Sequence, residues 1–342
     1  MLRLVAVLAA VGLALFVVLP APPPPPLRLR ARAVPLNPED LQQRSAGVLR
    51  YRGGLWLDSL DPRFGGLSGL RVSPDGRRLV AISDCGRALD ASLLYDESGS
   101  LVGLREPRIR PLHGPGGRAL GSGEEDAESL ATTPDGGWIV GFEGRPRLWR
   151  YPPGEPPLGG APAPLLTPPG LEKQEPNRGL ETLVSLEDGR LFGVAEGEVG
   201  RPRSTMAWLE KDAAWSILPY PLFYDADVPE QPFRPSDAAL LPGGDVLVLE
   251  RRFPPLAIRL RRLDRRSLEQ GVDLSGSEVA RLDPPLSIDN FEGIDVRTEA
   301  GGQTLLYLVS DDNNCRKPGA IPGSTQRTLL LCFDLDTHAG PP

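Results

Sequence analysis

Histidine and cysteine are scarce in this chain, two of the first and three of the second among 342 residues. His113 and His338 stand far apart and neither joins a cysteine cluster, so the nitrogen and sulfur sets that hold zinc are excluded. The same scarcity argues against a serine hydrolase. A Ser–His mechanism would rest on His113 alone, and GGLSGL around Ser68 lacks the second glycine of a nucleophile elbow. A basic surplus is missing too: 38 Lys and Arg against 45 Asp and Glu leave a formal net charge of -7. No basic face is therefore expected to track a nucleic-acid backbone. Long helices are not expected either, because glycine and proline, 39 each, are spread along the chain in the manner of many short strands joined by turns.

One long apolar run is present. Arg3 precedes Leu4 to Leu19, and Pro20, Ala21 and five prolines follow, which reads as an export signal or N-terminal membrane anchor over residues 1–21. Leu19 occupies a place where cleavage favours a small residue, and the run falls short of the roughly 20 residues that span a bilayer, so both fates stay open. Residues 22–45 are expected to be a Pro/Arg-rich spacer, 46–336 the folded domain and 337–342 a tail. The expected location is periplasmic or extracellular, as a monomer that meets the membrane only through the first segment.

Within the domain one pattern recurs five times. The copies are GLSGLRVSPDGRRLVAISD from Gly66, DAESLATTPDGGWIVGFEG from Asp126, RGLETLVSLEDGRLFGVAEG from Arg178, RPSDAALLPGGDVLVLERR from Arg234 and NFEGIDVRTEAGGQTLLYLVSDDN from Asn290. Asp75-Gly76, Asp135-Gly136, Asp188-Gly189, Gly243-Gly244 and Gly301-Gly302 each fall between two apolar runs, where hairpins require positive φ. Further strand-like runs follow each hairpin, which predicts four strands per unit. The opening positions Ser68, Glu128, Glu181, Asp237 and Glu292 recur about every 50 to 60 residues, the period of a four-stranded blade. The expected fold is all-β: a propeller of five, or six, four-stranded blades. GVLRYRGGLWLDS from Gly47 precedes the first copy and is expected to complete the last blade, so that the two ends share one sheet.

Residues from about Gly65 to Leu335 resemble the phytase-like family, also described as esterase-like activity of phytase. NRGLETL from Asn177, RPSDAALLPGGDVLVLERRF from Arg234, DNFEGIDV from Asp289, LVSDDN and QRTLLLCFDL from Gln326 carry the resemblance. Two places depart from the family pattern: Cys85 stands where an arginine is usual, and Asn314 and Cys315 stand where an aromatic follows SDDN. The resemblance implies a propeller and a phytase-like activity.

In a propeller, residues at matching places in each copy converge on one channel mouth. Glu128, Glu181, Asp237 and Glu292 open the first strands; Asp84, Glu143, Glu196, Glu250 and Asp311 end the second. Such a ring calls for a positive occupant. A hard divalent cation, calcium foremost, is expected, held by Asp84, Glu128, Glu143, Glu196, Asp237, Glu250 and Asp311. Glu292 or Glu181 is the candidate general base. Arg178, Arg234, Arg251 and Arg327 are candidates to hold an anionic small molecule by the forked geometry that suits phosphate. The expected reaction is metal-assisted hydrolysis of a phosphoester; the alternative is a non-catalytic binding or scaffold module in which these carboxylates pair with neighbouring arginines. In an oxidising compartment Cys85 and Cys315, after equivalent strands of blades that become neighbours on closure, are expected to bridge, leaving Cys332 a buried thiol; a Cys315–Cys332 link is the other option.

Overall fold

A computed structural model describes residues 26–174, 178–198, 203–212, 214–315 and 325–336. The predicted export signal or membrane anchor, residues 1–21, and His338 lie outside them. Among the described residues no helix is long and apolar enough to cross a membrane.

Five antiparallel sheets surround one axis. The innermost strands are Leu67–Val72, Ala127–Thr132, Leu180–Ser185, Val228–Leu240 and Asn290–Thr298, each adjacent to the next and the last to the first. The molecule is a five-bladed β-propeller. Turn chemistry sets each inner hairpin. Gly76, Gly136, Gly189, Gly244 and Gly302 all have positive φ, between 70° and 92°, and each donates its amide to the carbonyl three residues back, as Gly76 does to Ser73 at 2.7 Å. Most side chains would be strained there.

Apolar residues alternate onto both faces of the sheets and meet between blades. Five buried clusters result, one at each of the five blade interfaces. The last blade is buried on both faces: every residue of Thr304–Asp311 and Thr328–Leu335 is buried.

The ring closes through the chain's two ends. Leu49–Asp58 pairs antiparallel with Thr328–Leu335 and forms the fourth strand of the last blade, as expected from the sequence. Arg30–Ala33 adds a fifth strand against Leu55–Asp58. The predicted spacer is therefore not free-standing from Leu27 onward: Leu27 and Leu36 are buried and Tyr51 donates its hydroxyl to the Val34 carbonyl at 2.5 Å. A long exposed edge is covered in this way. Residues 228–235 begin the inner strand of the fourth blade, and Phe223–Asp225 pairs with them.

The channel does not run through. Arg71, on the first inner strand and 7% exposed, directs its guanidinium onto the axis. It donates to the carbonyls of Leu70, Ile294 (2.9 Å), Leu183 (2.8 Å) and Ala238 (3.2 Å), on four different blades, and lies 3.3 Å from Asp237. One mouth of the channel is thus separated from the other.

Candidate functional site at the acidic mouth

A β-bulge recurs in every inner strand, where it nears the mouth. The register skips Glu128 between Ala127 and Ser129, Glu181 between Leu180 and Thr182, and Glu292 between Phe291 and Gly293. A bulge turns its extra residue out of the pleat, and here it aims one side chain per blade into the mouth. In the first blade the skipped pair is Ser68 and Gly69, and in the fourth it is Ser236. Ser236, not Asp237, therefore corresponds to Glu128, Glu181 and Glu292.

The second strands show the same offset. Asp84 and Glu143 donate their amides to Gly66 and Asp126, Glu196 to Gly179, and Asp311 faces Asn290. In the fourth blade the residue so placed is Arg251, opposite Arg234. Glu250 is one position short. Two predicted ligands thus leave the mouth. Asp237 is fully buried beside Arg71 and accepts the amides of Ile294 (2.9 Å) and Ala238 (2.8 Å); burial pushes its carboxyl up to about 7, against the pull of Arg71. Glu250 is buried within its blade, paired with Arg261 and accepting from the Tyr220 hydroxyl at 2.9 Å.

The remaining seven, Asp84, Glu128, Glu143, Glu181, Glu196, Glu292 and Asp311, gather at the mouth, close enough that neighbouring carboxylates act on Glu128, Glu181, Glu292 and Asp311. Ser68 Oγ donates to Glu128 Oε2 at 2.9 Å. Asp126 joins them, a residue the sequence reading passed over; one ligand oxygen each from Asp126, Glu128 and Glu143 lies within 4.8 Å of the others. Its signal was its place directly before the inner strand, across from Glu143.

Crowding of acids raises their proton affinity. Burial, then the charges of Asp84, Asp126 and Glu143, hold Glu128 well above the usual carboxylate range. Glu181 is raised likewise by burial and by Glu128 and Glu196. Burial brings Glu143 to about 7, although the Gly179 amide and a hydrogen bond with Glu181 oppose it. Asp311 is raised by burial and by Asp84 and Glu292.

Glu292 is 8% exposed. Its Oε1 accepts from Asn290 Nδ2 at 2.9 Å and lies 3.0 Å from Arg251, while its buried Oε2 has no hydrogen-bond partner among the described residues. Burial raises Glu292 to about 7 against Arg251. Arg251 also meets Glu196 at 3.2 Å; burial works against its charge, but Glu292 and Glu196 outweigh it and hold it firmly protonated.

The other predicted arginines sit at the same end with different partners. Arg234 donates to the Glu196 carbonyl at 2.9 Å. Arg327 pairs with Asp289 at 3.2 Å and donates to the Ile288 carbonyl. Arg178 lies two residues before the third inner strand, its Cβ beside Gly197. Cys85 and Cys315 form a disulfide with Cα atoms 5.6 Å apart, and Cys332 is a buried free thiol. The link ties the loop after Asp311 to the first blade. On that loop Asp312 accepts the Gly66 amide at 3.0 Å. His113 lies on the connection between the first two blades, where its carbonyl accepts from Tyr151, and no hydrogen bond among the described residues joins it to Ser68.

No curated protein matches the chain. Among solved structures it is similar to the PQQ-bound aldose sugar dehydrogenase of Streptomyces coelicolor, with 14% identity and a TM-score of 0.44, covering 91% of this chain and 100% of that one. It is also similar to virginiamycin B lyase of Staphylococcus aureus, at 11% identity and a TM-score of 0.40, covering 90% and 99%. Both are too distant to bear on activity. The family model of the phytase-like proteins, described as esterase-like activity of phytase, matches residues 62–314, and the chain belongs to that family.

Proposed function

We propose that the acidic mouth binds a divalent cation, calcium foremost, together with an anionic small molecule, and that the pair serves hydrolysis of a phosphoester. The observation that carries this reading is the imbalance at the mouth: seven predicted carboxylates plus Asp126 converge there, and Arg251 is the cation set directly among them. The donor set is oxygen throughout, which suits a hard cation. Asp126, Glu128 and Glu143 would hold it, and the unpartnered Oε2 of Glu292 marks a second oxygen awaiting a partner.

A cation bound there supplies charge neutralisation and a more acidic water. Glu292, with its carboxyl near neutrality, is suited to take a proton at the pH where a general base works best. Glu181, buried among Glu128, Glu143 and Glu196, is the second candidate. Arg251 orients Glu292 and, with Arg234 at the same strand pair, offers guanidinium donors to the oxygens of an anion. Export to an oxidising compartment fits the Cys85–Cys315 link.

The test is turnover of p-nitrophenyl phosphate and phytate with calcium, with chelator, and in Glu292→Gln. Turnover that disappears in chelator and in the variant supports the enzyme. Calcium-dependent thermal stabilisation without turnover supports the second reading, a binding module, which is favoured by Arg251 already neutralising Glu292 and Glu196.

A further inference from the structure

The opposite mouth, beyond Arg71, opens into a cavity of about 840 Å³. That size lies within the roughly 300–1,000 Å³ typical of small-molecule sites. None of the acidic cluster lines it. Its walls come from the hairpin ends of the blades and include Trp138, Pro74, Pro134 and Pro157, with Asp295 on the last inner strand.

The charges of the lining decide what fits. Three arginines reach it and all are occupied. Arg71 is spent on four carbonyls and Asp237; Arg78 pairs with Asp90 at 3.0 Å and with Glu155; Arg297 pairs with Glu299 at 2.9 Å and donates to the Tyr307 hydroxyl at 3.0 Å. An anion would have to displace these partners. A cation would meet three guanidinium groups against the carboxylates of Asp295 and Glu155. Neither charged class is favoured.

Two polar groups are less committed. Asp295 accepts the Val72 amide at 2.6 Å and has no ion pair among the described residues. Trp138 is part-buried, packed on one side against the core between the first two blades, and its indole N–H makes no hydrogen bond among the described residues. An aromatic face and flat proline walls bury C–H surface, while a carboxylate accepts from hydroxyls and an indole N–H donates to them. We propose that this mouth is a binding site for a neutral saccharide, seated on Trp138 with its hydroxyls donating to Asp295. The site is independent of the acidic mouth, because Arg71 closes the axis between them.

The experiment uses the full chain and titrates maltose, cellobiose and N,N′-diacetylchitobiose by calorimetry and saturation-transfer NMR, with putrescine and inorganic phosphate alongside. Binding of at least one disaccharide is expected, unchanged by EDTA and weakened about tenfold or more in Trp138→Ala and in Asp295→Asn, with both variants checked for native circular dichroism. Should Trp138→Ala fail to fold, Asp295→Asn decides alone, since asparagine keeps an acceptor for the Val72 amide. No disaccharide binding up to about 20 mM, equal binding by the folded variants, or binding only of putrescine or phosphate overturns the proposal.

Discussion

Arg251 lies 3.0 Å from Glu292 and occupies, in the fourth blade, the place where every other blade puts an acid. Removing its charge leaves Glu196 and Glu292 facing each other and their acidic neighbours. Arg251→Gln is expected to cost the calcium-free protein about 2–4 kcal/mol, at the low side of a buried pair because the arginine is partly exposed, and to tighten calcium binding. An unchanged urea midpoint in EDTA would contradict this.

Proton uptake gives a second prediction. Burial chiefly raises Glu143 and Glu292 from 4.5 to about 7. The folded state therefore keeps protons that the unfolded chain releases between those values. The resulting stability is full below the unfolded pKa and is lost as pH rises through the folded one. In EDTA the melting temperature is expected to fall from about pH 5 to about pH 7.5, and calcium is expected to restore it at the upper end, where the carboxylates are ionised. A flat profile in EDTA, or no calcium effect, speaks against the cluster as drawn.

The Cys85–Cys315 link spans 230 residues and joins the first blade to the last. Cys85→Ser with Cys315→Ser is expected to lower stability by about 2–5 kcal/mol. Thiol titration of the unfolded, unreduced wild type should find one free thiol, Cys332, and three after reduction; three before reduction would disprove the link.

Arg71 ties four blades together and neutralises Asp237. Arg71→Met is expected to cost about 3–5 kcal/mol, since Asp237 is left buried without its cation, and Asp237→Asn in that background should recover part of the loss. Equilibrium unfolding of the two variants measures both. A loss below about 1 kcal/mol would mean that the axial contacts do not hold the ring.

The propeller was readable because its signals are local: turn glycines at positive φ, apolar runs, and a lone N-terminal strand matching a vacancy in the last unit. The bulges were harder. A residue that leaves the pleat has no mark of its own, and in the fourth copy the acids Asp237 and Glu250 each sit one step nearer the turn than the mouth position. Counting outward from the turn would have shown it. Glu128 and Glu143 lie seven residues outside Asp135 and Gly136, and seven residues outside Gly243 and Gly244 are Ser236 and Arg251. Arg71 left no pattern, because it occurs in one blade and, Asp237 apart, its partners are backbone carbonyls, which every residue supplies.

The strand Leu49–Asp58 has consequences for how the molecule is made. It is among the first parts of the domain to leave the ribosome, yet its pairing partner, Thr328–Leu335, is among the last. Until then an apolar strand and four finished blades wait with open flanks, a costly long-range closure that comes at the end of synthesis. A chain that stops before residue 328 would have nothing to latch onto its own beginning, and its exposed rims would seek each other between molecules instead.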